Sequence, residues 1–85
     1  MKVRKGILIQ KMGRTFVAYD NKTSVMHELN EVAYLILSQL EKGKTKGQIL
    51  KKITAEFKVG EEEASSDLET FLQILKRADL IVGKK

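Results

Sequence analysis

The chain has no cysteine, no proline and no tryptophan, and its one histidine is His27. Each absence excludes something. Without cysteine there is no disulfide, no thiolate nucleophile and no Cys-ligated zinc or iron–sulfur centre. Such a composition suits a reducing compartment. His27 cannot hold a metal unaided, and no Glu-x-x-His or His-x-x-x-His spacing supplies companions. A catalytic triad built on it lacks a nucleophile, because Ser24, Ser38, Ser65 and Ser66 stand in no Gly-x-Ser-x-Gly context. Gly-x-Gly-x-x-Gly and P-loop patterns are also missing. Glu62 and Glu63 are neighbours on an exposed first helical turn, where burial cannot raise a carboxyl pKa for acid–base work. Long apolar runs are absent too. The start, Met1 to Ile9, is basic, but its apolar run Ile7-Leu8-Ile9 is far short of the roughly 7–15 residues of a signal peptide or the ~20 of a membrane span. The expectation is a cytoplasmic, non-catalytic chain with no metal, no cofactor and no membrane partner.

What is present is charge and periodicity. The 85 residues suffice for one domain, residues 1–85, around a single modest core. A net charge of +5 raises the question of nucleic acid. The cations are spread: Lys2, Arg4, Lys5, Lys11, Arg14 and Lys22 early, then Lys42, Lys44, Lys46, Lys51, Lys52 and Lys58. Glu61-Glu62-Glu63, Asp67 and Glu69 follow on one segment, with Lys76 and Arg77 only near its end. A basic side and an acidic helix in one domain read as a solvated surface.

Ile7–Met12 and Thr15–Asp20 are apolar-rich runs joined by Gly13-Arg14, and glycine first in a two-residue loop predicts a type II′ hairpin. The implied register pairs Met12 with Thr15, Gln10 with Val17 and Leu8 with Tyr19. One face then presents Leu8, Met12, Val17 and Tyr19, and the other Ile7, Ile9, Phe16 and Ala18; both are substantially apolar. Asp20-Asn21-Lys22-Thr23 is a turn cluster, and Ser24–Leu29 follows as a third strand with a free edge. Asn30 is suited to cap a helix whose stripe is Ala33, Ile36, Leu37 and Leu40, widened by Val32 and Leu35. Gly43 is placed to end it. Thr45 and Gln48 form a capping box for a second helix with the stripe Ile49, Leu50, Ile53 and Phe57. Gly60 separates it from a third helix whose glutamates favour the N-terminal dipole. Leu68, Phe71, Leu72 and Leu75 form the stripe of that helix, extended by Ala64, Ile74 and Ala78. Leu80-Ile81-Val82 is expected to pack back on the body. The expected fold is α+β and winged-helix-like: a three-stranded antiparallel meander followed by a three-helix bundle.

A winged-helix nucleic-acid binder is the alternative. Such proteins put basic and amide side chains at the start of a recognition helix into the major groove. Here the third helix leads with acids that phosphates repel. The second offers Gln48 alone for base reading, and the hairpin precedes the helices instead of following them. No specific nucleic-acid partner is expected. An exposed edge strand beside an amphipathic helix suits another ligand, an extended peptide held by β-augmentation.

Taken in order, the hairpin Ile7–Asp20, the turn Asp20–Thr23, the step Leu29-Asn30 with Glu31-Val32-Ala33, the run Thr45–Ile53 and the helix Glu61–Leu75 resemble the PqqD-like family, also called RiPP recognition elements. The resemblance covers nearly the whole chain. One departure is Ala78-Asp79, where the family often has glycine before the terminal Leu-Ile. The resemblance implies that the leader of a ribosomally made precursor peptide adds as a fourth strand beside the third, in a cleft against the third helix. Carried over, the ladder would come from Val25, Met26, His27 and Glu28. The opposite wall would use Asp67, Leu68, Phe71, Leu72, Leu75 and Lys76. It also implies a separate maturation enzyme as partner, often a radical S-adenosylmethionine (radical SAM) enzyme; the basic side of such a cleft would suit leaders rich in Asp and Glu. An empty edge strand could instead pair with a second copy, giving a homodimer.

Overall fold

Gly13, at φ 63°, turns the first hairpin, and Arg14 stays at negative φ, as a type II′ loop requires. The structure, a computed structural model, describes residues 1–83. Its elements in chain order are β1 (Lys2–Val3), β2 (Ile7–Met12), β3 (Thr15–Asp20), β4 (Val25–Leu29), α1 (Glu31–Glu41), α2 (Lys46–Phe57), α3 (Glu61–Arg77) and β5 (Ile81–Val82). Strands β2, β3 and β4 form the expected antiparallel meander. Its hairpin register is Leu8↔Tyr19, Gln10↔Val17 and Met12↔Thr15. The strand expected from Ser24 begins one residue later. Ser24 adopts φ 60° and closes the turn, its N–H donating to the Asp20 carbonyl at 2.8 Å.

The choice of core face is now settled. Ile7 and Ala18 are buried against the helices, with Ile9 packed beside them. The opposite face leaves Leu8, Met12 and Met26 more than half exposed, while Val17 at its centre is buried without joining the main core. Period-two alternation makes this outcome all-or-none: once the helices choose one face, every odd neighbour turns to the other.

The helices follow their local signals. Asn30 caps α1 by accepting from the Ala33 N–H at 2.8 Å, and Ala33, Ile36, Leu37 and Leu40 are its buried residues. Gly43 takes φ 81° just past the end. The Thr45–Gln48 box closes both ways, at 2.9 and 3.2 Å. At the end of α2 the left-handed residue is Lys58, at φ 54°, and no glycine; Gly60 is the N-cap of α3 instead. Helix α3 buries Ala64, Leu68, Leu72 and Leu75. Ile74, expected to widen that stripe, is 51% exposed.

Two short strands were not legible beforehand. β1 pairs with β5 as an antiparallel ribbon, Lys2↔Val82 and Val3↔Ile81, which brings the two ends of the described chain together. The turn into β5 is a complete Schellman arrangement. The Asp79 N–H reaches the Lys76 carbonyl and the Leu80 N–H reaches that of Leu75, both at 3.0 Å, with Asp79 itself at φ 63°. The departure Ala78-Asp79 therefore leaves the cap intact, because aspartate tolerates the left-handed region better than most residues. Asp20, 4% exposed, is the one buried charged residue among those described, and the Arg4 guanidinium meets its carboxylate. Burial pushes the Asp20 carboxyl up. Hydrogen bonds from Lys22 and Thr23 and the charge of Arg4 outweigh that, and hold its pKa below the usual 3.8.

Candidate functional site

Among the described residues strand β4 pairs with β3 alone, in the register Phe16↔Leu29, Ala18↔His27 and Asp20↔Val25. Which of its backbone groups are free follows from the alternation of antiparallel ladders. The Asn21 N–H donates to the Gly6 carbonyl at 2.8 Å, so Gly6↔Asn21 is a hydrogen-bonded pair. Counting by twos, Leu8↔Tyr19, Gln10↔Val17 and Met12↔Thr15 are hydrogen-bonded pairs as well. β3 therefore spends Thr15, Val17 and Tyr19 on β2, and turns the amides of Phe16, Ala18 and Asp20 toward β4. In β4 these bind Leu29, His27 and Val25. The N–H and C=O groups of Met26 and Glu28 point outward from the open edge.

That edge borders a cleft of about 310 Å³ lined by His27, Glu28, Leu29 and Asn30 on the strand side. Phe71, Ile74, Leu75 and Ala78 come from α3, with Ala33 and Leu80 completing the lining. β4 and α3 do not pack closely on each other; α1 lies behind the gap and touches the strand. The lining is mostly apolar; its titratable residues are His27, on the inner sheet face, and Glu28, whose side chain alternation places on the outer face with Met26. A half-exposed isoleucine beside unpaired ladder groups is what an added strand needs: backbone bonds for affinity and an apolar recess for alternate side chains.

Of the residues expected at the site, the structure brings His27, Glu28, Phe71 and Leu75 together around the cleft. Met26 contributes its outward backbone, while its side chain lies on the outer sheet face opposite Tyr19. Val25 begins the strand and is 45% exposed. Asp67 is exposed and stands one turn before Phe71 on the same flank of α3. Leu68 and Leu72, each 3% exposed, belong to the core and have no surface to offer a ligand. Lys76 lies two residues beyond Ile74, about 200° around the helix, with its aliphatic end against Gly83. It is turned from the cleft, so the basic wall expected for acidic leaders is not formed there.

Ile74, Ala78, Leu29, Asn30, Ala33 and Leu80 were not among the expected site residues. A signal for the first two existed. The apolar arc of α3 from Leu72 round to Ile74 spans about 160°, wider than the roughly 100° stripe a core contact needs. The surplus flank, Phe71-Ile74-Ala78, is the one that faces β4. Among the described residues no group of three or more His, Cys, Asp or Glu side chains could hold a metal ion. No described helix is long and apolar enough to cross a membrane.

The same architecture occurs in solved structures. TbiB1 in complex with the TbiA(beta) leader peptide is 28% identical, with a TM-score of 0.88 over 100% of this chain and 99% of that one. A lasso peptide synthetase B1 complexed with the leader peptide is 22% identical, with a TM-score of 0.84 over 96% of each chain. The latter attests the fold alone. No curated protein matches the chain. The family model described as coenzyme PQQ synthesis protein D (PqqD) matches residues 15–81, a span that runs from β3 through all three helices to the first residue of β5. With that coverage and the meander-then-helices order in place, the chain belongs to the PqqD family.

Proposed function

We propose that this chain is a single peptide-binding domain that captures the leader of a ribosomally made precursor and presents it to a separate maturation enzyme. The leader adds as an antiparallel or parallel strand to the open edge of β4, bonding to the backbone of Met26 and Glu28. Its alternate side chains enter the recess formed by Leu29, Phe71, Ile74 and Ala78. The observation that carries the reading is the coincidence of unpaired ladder groups with an apolar recess on one side of the molecule. The leader complex of TbiB1 supports the same ligand class. The domain works by holding and orienting, with no bond made or broken on its own residues. The maturation enzyme, of the radical SAM type in the family resemblance, supplies the chemistry, and both act in the cytoplasm. When no leader is bound, the same edge is available to a second copy.

Nucleic acid finds little here. Three glutamates occupy the first turn of α3, and Lys46 of α2 is engaged with Glu69.

Selection from a displayed library of random extended peptides, followed by amide-shift mapping of the best binder, tests the reading. Shifts concentrated at Met26, Glu28, Phe71 and Ile74 are expected. Binders that shift only α2 or the outer sheet face would refute the site.

A further inference from the structure

Between β1 and β2 the side chain of Arg4 is only 16% exposed, although it lies in a connecting segment outside the 15–81 match to the family. It reaches two places at once. Its Nη2 donates to Asp20 Oδ2, and its Nε donates to the carbonyl oxygen of Asp79 at 2.7 Å. The Arg4 backbone N–H adds a bond to the Leu80 carbonyl at 2.9 Å. We propose that Arg4 is a positioning residue for the peptide cleft, a brace that ties the turn leading into β4 to the end of α3 and so sets the spacing of the two walls.

What stands behind each contact carries the argument. Asp20 organises the β3–β4 turn. Its Oδ1 accepts from the backbone N–H of Lys22 at 2.9 Å and of Thr23 at 3.4 Å, and its carbonyl accepts from Ser24. Val25, the next residue, begins the edge strand. On the other side, Asp79 sits between Ala78 and Leu80, both of which line the cleft. Since β4 and α3 do not pack closely on each other, their separation is set indirectly. Among the described residues no other hydrogen bond or ion pair joins the three-stranded sheet to the end of α3. The planar guanidinium suits this task because Nε and Nη2 leave it in fixed directions, whereas a lysine ammonium on its flexible stem is a point charge that cannot hold the same fork. Arg4 touches no cleft volume itself, so its effect on a bound peptide passes through the walls. This rests on the peptide-binding reading above, and the test separates the two.

The cysteine-free chain accepts a pair of spin labels without background. Met26→Cys on the outer sheet face and Gln73→Cys on the solvent side of α3 report the spacing of the walls from outside the cleft. In this labelled chain, Arg4→Gln and Arg4→Lys are each expected to broaden the distance distribution and lengthen its mean by about 2 Å or more. In the unlabelled chain, both are expected to weaken the library-selected peptide about tenfold through lost preorganisation. A residue that only stabilises the fold would lower the melting temperature and leave the distance in the folded protein unchanged. Where Arg4→Gln fails to fold, Arg4→Lys, which keeps the charge but loses the fork, decides the matter. Folded Arg4→Lys protein with an unaltered distance, or with an altered distance and unaltered peptide affinity, overturns the proposal. If no peptide selected on the parent contacts the β4 edge, the peptide reading falls, and the distance measurement still decides whether Arg4 braces the walls.

Discussion

Proline at Met26 and proline at His27 are neighbouring substitutions with opposite expected consequences. The His27 N–H points to Ala18 in the ladder, and Ala18 is fully buried. Replacing that donor leaves a buried carbonyl unpartnered, which costs about 1–3 kcal/mol, and the ring also presses on the neighbouring strand. Against the roughly 4–13 kcal/mol expected for a domain of this size, the loss is large enough to measure and can leave a folded fraction. Met26 directs its N–H away from β3, so proline there removes no internal bond. Edge positions with the N–H outward are where sheets accept proline, and the folded state should stay within about 1 kcal/mol of the parent. Binding reverses the order of the two. An added peptide strand loses one bond to Met26 and keeps an unpaired carbonyl of its own, about 1–3 kcal/mol, or roughly 5- to 150-fold in affinity. Urea unfolding gives the first comparison, and titration of a selected peptide into each folded variant gives the second. A Met26→Pro chain as unstable as His27→Pro would mean that the ladder alternation is misassigned. A stable Met26→Pro chain that binds like the parent would remove β4 as the docking edge.

Ile74 has about half its surface free, and burying the remainder of an isoleucine is worth about 0.8–1.5 kcal/mol. Ile74→Ala should therefore weaken a selected peptide about 4- to 13-fold, with little change in urea midpoint. Lys76→Glu, on the far side of α3, should alter that affinity by less than about threefold at physiological salt; a larger, salt-sensitive loss would return a basic wall to the site. The Asp20 pKa is lower in the folded chain than the ordinary 3.8. Its contribution to stability is therefore full above that value and is lost as pH falls through the folded pKa. Asp20→Asn should flatten the acid limb of a stability-versus-pH curve below about pH 4, and an unchanged limb would assign acid sensitivity elsewhere. Lys58→Gly relieves a left-handed residue at φ 54° and should stabilise by about 0.5–1 kcal/mol, raising the melting temperature by about 2–8 °C.

How much of this molecule was legible in one dimension depended on the range of the interaction. Gly13, Asn30, the Thr45–Gln48 pair and the apolar stripes of α1 and α2 are local signals. Each acts within four or five residues, and each appears in the structure as expected. The hairpin register followed for the same reason, because a two-residue loop admits only one pairing. The open edge of β4 was also readable from strand order, though not which amides face outward, since that needed the Ala18↔His27 pairing across a four-residue turn. Long-range contacts were silent. Nothing near Lys2-Val3 announces a strand, because its partner, Ile81-Val82, is almost the whole chain away. Arg4 and Asp20 looked like one surface cation and one turn residue until folding brought them together. Both apolar faces of the sheet were plausible cores, and the arrival of the helices on one of them decided it. On α3 the sequence specified an apolar arc that was too wide. The seating of α3 against α2 and β5 then buried Leu68 and Leu72, left Ile74 open to the cleft and turned Lys76 away. Periodicity determines which residues share a face; only packing between distant elements determines what that face meets.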